Sequence, residues 1–335
     1  MKAPGKIQLT VWIFGLAGAA LFTILIIRQG IVPVRTALAT AGWGITAVVA
    51  YHFLVPLLLD SVSWWALFPK ANRPRLRSVF RMRWVGESVS NLLPSAQIGG
   101  DIVRARLAAI HGAPAPIAAG TVLVDITLSI FMQVVFTLLG LALLVSANGH
   151  NHFVRPVLIG SLIGVLGITG FYFVQRRGMF RFIGALVSRI AKSPDWHSLV
   201  RNGGILDVTV QEIYSRRRAV IVNCTCTLLS FVLESGECWI ALHLLSVPAT
   251  VTKALILVSA QFAIRSAMFP IPGGLGVQEG GYLLVGNLLG IPGETAFALS
   301  LIERACELAV GIPGLVIWQV IEGRRLLRVR AGTAG

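Results

Sequence analysis

Two short segments rich in proline and glycine, each ending in an acidic residue, are the parts of this chain most able to do chemistry. The first segment runs from Leu93 to Asp101, and the second runs from Ile271 to Glu279, 178 positions later. Glycine permits tight turns, and its bare amides can bind an anion where a helix begins. Apolar residues flank both segments, so a carboxylate there needs a partner or a polar cavity. The two segments are therefore predicted to form part of a binding site.

Other charged residues within the nearby apolar runs extend this candidate site. Arg104, Arg265 or Arg304 could bind a phosphate, because a guanidinium matches phosphate oxygens in a bidentate geometry. The carboxylates would carry protons or balance the arginines. The alternative is that these groups form buried ion pairs that only stabilise the protein. The candidate site residues are Asn91, Pro94, Gly99, Gly100, Asp101, Arg104, Asp125, Glu234, Glu237, Arg265, Pro270, Pro272, Gly273, Gly274, Gly276, Glu279, Glu303, Arg304 and Glu307.

The composition of the chain indicates where these residues lie. Of its 335 residues 55% are hydrophobic and 13% are charged, whereas soluble domains average about 25% charged residues. The net charge is +15, but the basic residues lie between apolar runs and form no solvated face for nucleic acid. The chain is predicted to be an all-α integral membrane protein whose basic loops follow the positive-inside rule.

Apolar runs of about 20 residues cross a bilayer as helices, because lipid offers no partner for backbone polar groups. The run at 8–27 exceeds the usual apolar core of a signal peptide, so it is predicted to remain as the first span. Two further apolar stretches, 84–112 and 254–290, are interrupted by proline and glycine and are predicted to be re-entrant hairpins. The six predicted spans are 8–27, 43–68, 117–146, 154–175, 219–245 and 295–320.

Basic residues concentrate in the loop 69–83, in the loop 176–218 and in the tail after Ile321. These segments lie on one side of the membrane if neither broken stretch crosses it. The positive-inside rule then predicts two opposed hairpins and a multi-pass protein of the bacterial inner membrane with both termini in the cytoplasm.

The two halves of the chain resemble each other at an offset of 178 positions. Pro94 aligns with Pro272, Asp101 with Glu279, and one further pair, Asp125 with Glu303, lies inside apolar spans. The halves, 43–146 and 219–320, would run in opposite directions within a single membrane domain covering 1–335. Inverted repeats are typical of transporters, and their interrupted helices form the substrate site. The alternative is two kinked structural helices with no role in transport.

No other motif indicates catalysis, a metal or a cofactor. The four cysteines lie in apolar segments and are predicted to be core residues. The six histidines, among them His52 in an apolar span, form no visible cluster. No catalytic residue, metal site or cofactor is therefore expected.

At these motifs the chain resembles the flippase-like family, also called the lysylphosphatidylglycerol synthase transmembrane-region family. Residues 269–279 resemble the family pattern P-x-P-G-G-x-G-x-x-E. Asn91, Pro94, Gly100 and Arg104 match its other pattern, in which Asp101 replaces the usual glutamate. The resemblance covers roughly 40–325 and implies a lipid flippase or lipid exporter. The chain as a whole is similar to the branch of the family associated with hopanoid synthesis.

The resemblance and the residues together favour a transporter of a phospholipid, a hopanoid or a polyprenyl-linked lipid. No aminoacyl-transfer domain follows Arg330, so lysyl transfer is not expected. The expected partners are a lipid substrate, anionic phospholipid headgroups at the basic loops and enzymes of lipid synthesis, without nucleic acid. The alternatives are a non-catalytic component of a lipid-synthesis complex, or a lipid-modifying enzyme with Asp101, Glu279 or Glu303 as acid or base.

Overall fold

The computed structural model describes residues 39–93, 98–148, 196–267 and 276–332, together with Arg35 and separate positions between 159 and 177. Within these residues the chain is helical apart from turns and short connections, and no described residue lies in a β-strand. The all-α prediction is therefore confirmed. The α-helices are α1 (Ile45–Leu54), α2 (Pro56–Leu67), α3 (Leu76–Leu92), α4 (Ile98–Ile110), α5 (Ala115–Asn148), α6 (Trp196–Ser215), α7 (Arg217–Leu244), α8 (Val251–Ala267), α9 (Val277–Leu288) and α10 (Gly293–Gly332).

Four helical segments in the described part of the chain are long and apolar enough to cross a membrane. They are Ala39–Leu67, Ala115–Ser146, Arg217–Leu244 and Gly293–Ile321. The first contains α1 and α2, which are separated at Val55, immediately before Pro56. These segments agree with four predicted spans, so the chain is a multi-pass membrane protein.

The other two predicted spans are described partly or not at all. The run 8–27 lies outside the described residues. Helical positions occur between 159 and 175, within the predicted span 154–175, and the rest of that span is not described. The total of six crossings therefore stays a prediction.

Each broken stretch contains two short helices that pack against each other. The first helix pair is α3 with α4, which have 17 and 13 residues. The second helix pair is α8 with α9, which have 17 and 12 residues. At 1.5 Å per residue the longest is about 26 Å, less than the roughly 30 Å of a hydrocarbon core. The connections 94–97 and 268–275 lie outside the described residues, so the re-entrant geometry stays a prediction.

The start of the first helix pair corrects one expectation. The segment 69–83 was predicted to be a loop, but α3 begins at Leu76. Val79, Met82 and Val85 recur every third residue and are buried, which is the spacing of a helix face that packs on a core. Arginines lie among these apolar residues and lower the mean hydropathy, so a hydropathy window does not reveal the helix.

Packing between the halves is reciprocal. Helix α5, the last helix of the first half, packs against α8 of the second half, and α10 packs in the same way against α3. The first spans of the two halves, α2 and α7, pack against each other. This set of contacts is the one expected of two halves related by a two-fold axis.

The contact between the two first spans uses polar groups as well as close packing. Tyr51 donates a hydrogen bond to the Leu233 carbonyl at 2.8 Å, and Ser230 donates one to the Pro56 carbonyl at 3.2 Å. A side chain at Gly236 would collide with the Tyr51 hydroxyl. Interhelical hydrogen bonds beside small residues are typical of helix packing in membranes.

The outer surface of the bundle is apolar. Leu139, Ile221, Leu229, Ile312 and Val316 are all large hydrophobic residues with exposed side chains on the long helices. Exposed apolar side chains on several long helices suit contact with acyl chains, whereas large exposed apolar patches are rare on soluble monomers. The buried polar residues of the same long helices include Asp125, Asn223, Thr227 and Ser300.

Gly100 brings the backbones of α3 and α4 into contact. A methyl group added at Gly100 would overlap the Gly86 carbonyl and the Ser90 hydroxyl. Because a carbonyl oxygen cannot rotate away, we expect Gly100→Ala to separate the helices and lower the free energy of unfolding by about 1–3 kcal/mol. Gly170→Ala is a matched control, because Gly170 is helical and an added methyl there meets no neighbour within 4 Å. Equal melting temperatures for the two variants in detergent would contradict this contact.

Candidate functional site

A cavity of about 340 Å³ lies between the first helix pair, α8 of the second pair and the long helices. Its walls come from α1, α2, α3, α4, α5, α7, α8 and α10. The charged or titratable residues that line it are His52, Asp60, Arg83, Glu87, Asp101, Arg104, Glu234, Arg265 and Glu307. The uncharged polar residues that line it are Ser90, Asn91, Ser129, Gln133 and Ser266. Charged groups are costly in a membrane protein unless they face a cavity or pair with one another, and here they do both.

Asp125 is the centre of a buried network behind one wall of this cavity. The Asp125 side chain is 0% exposed. It accepts hydrogen bonds from Arg83 Nη1 at 2.9 Å, Arg104 Nη1 at 2.6 Å and Asn223 Nδ2 at 2.8 Å. These donors come from α3, α4 and α7, so one carboxylate joins both helices of the first pair to a span of the second half.

Both arginines of this network make a second ion pair at the cavity wall. Arg83 binds Asp60 at 3.1 Å, and Arg104 binds Asp101 at 2.9 Å. The Arg104 guanidinium also lies over the Trp64 ring, 5.2 Å from its centroid. Each arginine therefore bridges two carboxylates, and its position is fixed before any ligand binds.

The position of Arg83 corrects the prediction that it is one of the cytoplasmic loop cations. Arg83 follows Met82 on the buried side of α3, so the helix turns its side chain inward toward Asp60 and Asp125. Arg77 and Arg81 on the same helix are exposed. The three arginines of α3 thus comprise two surface cations and one that belongs to the site.

The second half has an ion-pair network of its own. Arg265 on α8 binds Glu307 at 3.2 Å, and Arg304 on α10 binds Glu307 at 3.1 Å. Arg304 also binds Glu279 of α9 at 3.1 Å, and Glu279 is 0% exposed. Each half therefore ties both helices of its short pair to its last long helix through paired charges.

Glu303 lies in a separate cluster close to this network. It accepts hydrogen bonds from Gln278 Nε2 at 3.0 Å and from the Tyr282 hydroxyl. Its counterpart in the aligned repeat, Asp125, binds arginines instead. The two acidic residues that align in the sequence therefore have different kinds of partner.

His52 joins the two halves at the cavity. Its Nδ1 lies 2.8 Å from Glu237 of α7, and its Nε2 lies 3.4 Å from Glu87 of α3. An imidazole can donate from both nitrogens when it carries two protons. No pattern in the sequence indicated these contacts, because Glu237 and Glu87 are both distant from His52 in the chain.

Glu234 is the cavity carboxylate without a hydrogen bond or ion pair to any other described residue. It lies one helical turn before Glu237 on α7, as the three-residue spacing predicted. Because His52 binds Glu237 and not Glu234, the Glu234 carboxylate remains available to the cavity.

The charges of the walls are unequal. Three arginines and five carboxylates line the cavity, and each of the three arginines already pairs with a carboxylate. The guanidinium groups therefore offer less to a phosphate than their number suggests. The described lining thus contains more carboxylates than guanidinium groups, and His52 lies in the same lining beside Glu87.

The residues predicted from sequence fall into three groups. Those that line the cavity are Asn91, Asp101, Arg104, Glu234, Arg265 and Glu307. Those that lie outside its lining are Gly99, Gly100, Asp125, Glu237, Gly276, Glu279, Glu303 and Arg304. Those outside the described residues are Pro94, Pro270, Pro272, Gly273 and Gly274.

The glycines that are described have structural roles. Gly99 and Gly100 lie in the first turn of α4, and Gly276 precedes α9 with a φ of 76°. A residue with a side chain rarely adopts that angle, so the second helix pair needs glycine there.

A bundle of apolar helices with charged groups gathered in an internal cavity defines a polytopic membrane protein. The chain belongs to the family described as the lysylphosphatidylglycerol synthase TM region, whose sequence profile matches residues 12–314. This match confirms the resemblance found at the two motifs. No curated protein and no solved structure showed significant similarity to the chain.

Proposed function

We propose that this protein moves a lipid between the leaflets of the bacterial inner membrane, with the headgroup in the charged cavity and the tails in the surrounding lipid. The observation that carries the proposal is a polar cavity within an apolar bundle, bordered by both helices of the first pair and by α8 of the second. A headgroup needs such a polar environment to cross a hydrocarbon core, because leaving charged groups unsolvated there costs several kcal/mol or more.

The cavity is also open toward the surface that contacts lipid. Ile130 of α5 and Ser266 of α8 line it, and both are exposed. Phe131, next to Ile130, is an exposed apolar residue. A headgroup can enter between α5 and α8 while its acyl chains stay against these apolar side chains.

The surplus of carboxylates favours a headgroup that carries a positive charge beside its phosphate. The paired arginines would orient the phosphate, and Glu234 would bind the cationic group. The sequence-based expectation gave the carboxylates the role of carrying protons or balancing the arginines, and this assignment adds a role in binding for Glu234.

The reciprocal packing of α5 with α8 and of α10 with α3 supports an inverted repeat with halves at 43–146 and 219–320. In that arrangement the two helix pairs enter the membrane from opposite faces, and both termini are cytoplasmic. Of the three acids named for the catalytic alternative, Glu279 and Glu303 lie outside the cavity lining, and Asp101 lines the cavity but pairs with an arginine.

A substitution that fills the cavity without replacing any of its charged residues gives a direct test. Ser129 of α5 lines the cavity, so Ser129→Trp would occupy the space that the headgroup needs. Leu139→Trp is the matched control, because Leu139 lies on the same helix with its side chain exposed. The purified protein is reconstituted into vesicles that contain fluorescent phospholipids. The rate at which these lipids cross the bilayer is then measured by dithionite quenching.

We expect wild-type and Leu139→Trp vesicles to transfer lipid faster than empty vesicles, and Ser129→Trp vesicles to lose most of that difference. Retention of full transfer by folded Ser129→Trp protein would rule out this cavity as the path. Transfer no faster than in empty vesicles, with every headgroup tried, would contradict the transport function itself.

A further inference from the structure

A second cavity, of about 390 Å³, lies where α2 ends and α7 begins. We call it the basic cleft. Its cationic lining residues are Lys70, Arg73, Arg216 and Arg218, and its apolar lining includes Trp65 and Val222. No carboxylate is among the described residues that line it. Two basic segments that are distant in the sequence thus converge on one cleft.

Main-chain carbonyls, and not acidic side chains, fix the two inner arginines. Arg73 donates from Nε and Nη2 to the Phe68 carbonyl at 3.2 and 3.0 Å, and its guanidinium lies 4.3 Å from the centroid of the Trp65 ring. Arg216 donates to the Leu67 carbonyl. These contacts orient the guanidinium groups at the end of α2 but leave most of their positive charge uncompensated.

The two arginines also repel each other. Partial burial and the nearby positive charge of Arg73 lower the pKa of Arg216, and the negative charge of Glu212 acts in the opposite direction. Like charges near one another in a partly buried site are stabilised by an anion that binds between them. A single phosphate group has the charge and the geometry for this role.

The apolar part of the cleft indicates where that phosphate comes from. The walls at Trp65, Ala66, Ala219 and Val222 continue onto two membrane-spanning helices. A site with cations at its rim and apolar walls along a span fits a phospholipid, whose phosphate and acyl chains are joined. A site for free phosphate does not need the apolar walls.

We infer that the basic cleft binds the phosphate of an anionic phospholipid, separately from the transport cavity. Orientation by the positive-inside rule requires only that basic residues lie on one side of the membrane. It does not require two distant basic segments to converge on one cleft or two guanidinium groups to be fixed beside each other. The inference does not depend on the transport function.

The test compares two double variants with the same change in charge. Arg73→Gln with Arg216→Gln removes the inner cations of the cleft. Arg77→Gln with Arg81→Gln removes exposed cations of the neighbouring helix that do not line it. Binding of phosphatidylglycerol and of phosphatidylcholine with identical chains is measured by native mass spectrometry of the full-length protein released from detergent.

We expect wild-type protein to prefer phosphatidylglycerol. The cleft variant should bind it roughly 30-fold more weakly, about fivefold for each lost charge, while the Arg77/Arg81 variant should bind as the wild type does. Lysine at positions 73 and 216 should restore part of the binding. Should the cleft variant fail to fold, Lys70→Gln with Arg218→Gln replaces it, since both side chains are exposed.

Three results would overturn the inference. Equal weakening in both double variants would mean that general surface charge attracts the lipid. Equal binding of the two lipids would mean that the cleft does not select an anion. Displacement of phosphatidylglycerol by inorganic phosphate alone would identify a site for free phosphate.

Discussion

An Asp125→Ala variant is expected to lose roughly 3–5 kcal/mol of folding free energy, because it removes one partner from a buried ion-pair network. Asp125 is the shared acceptor of Arg83, Arg104 and Asn223 and is itself 0% exposed. Without it, two arginines of the first helix pair each retain a single carboxylate, and their links to α5 disappear.

The folding free energy of this variant can be measured by unfolding in mixed micelles with increasing denaturing detergent. Asp101→Asn is the control, because Asp101 pairs only with Arg104 among the described residues and its side chain is 30% exposed. A smaller loss is expected there. If both variants unfolded at the same fraction of denaturing detergent as the wild type, the network would not contribute to stability.

A Glu234→Gln variant is expected to fold normally and to transport a lipid with a cationic headgroup roughly tenfold to a hundredfold more slowly. A hydrogen bond to a charged group is worth about 1.5–3 kcal/mol, which corresponds to that range. Glu234 lines the cavity and has no ion-pair partner among the described residues. Its substitution therefore removes an interaction with the ligand while leaving the wall intact.

The lipid-transfer assay in vesicles measures this effect, with a cationic and a purely anionic headgroup compared at equal protein content. Glu294→Gln is the control, since Glu294 is exposed at the start of α10. Equal slowing of both lipids would indicate a general defect. Unchanged transfer of the cationic lipid would show that Glu234 does not bind its headgroup.

The long spans and the members of the two motifs could be predicted from sequence because their signals are local. A run of apolar residues or a cluster of prolines and glycines is visible within a short window. Four spans and the pairing of short helices in each broken stretch follow from such windows. Asp101 and Glu234, which were predicted on the same basis, line the cavity.

The partners of the charged groups could not be predicted in this way. His52 and Glu237 are 185 positions apart, and Arg83 is 42 positions from Asp125. Ion pairs across a bundle depend on how helices rotate and pack, and a single sequence carries no signal for that. Gly100 illustrates the same limit, because its motif predicts a turn while the structure uses it for close packing of two helices.

The reciprocal packing of α5 with α8 and of α10 with α3 has a mechanical consequence. A tilt of α5 would displace α8 of the other half, and a tilt of α10 would displace α3. In an inverted pair of halves, a tilt that widens the gap at one membrane face narrows the gap at the other. We therefore expect a protein that cannot open to both faces at once, so that a headgroup can cross while the membrane keeps its ion gradients.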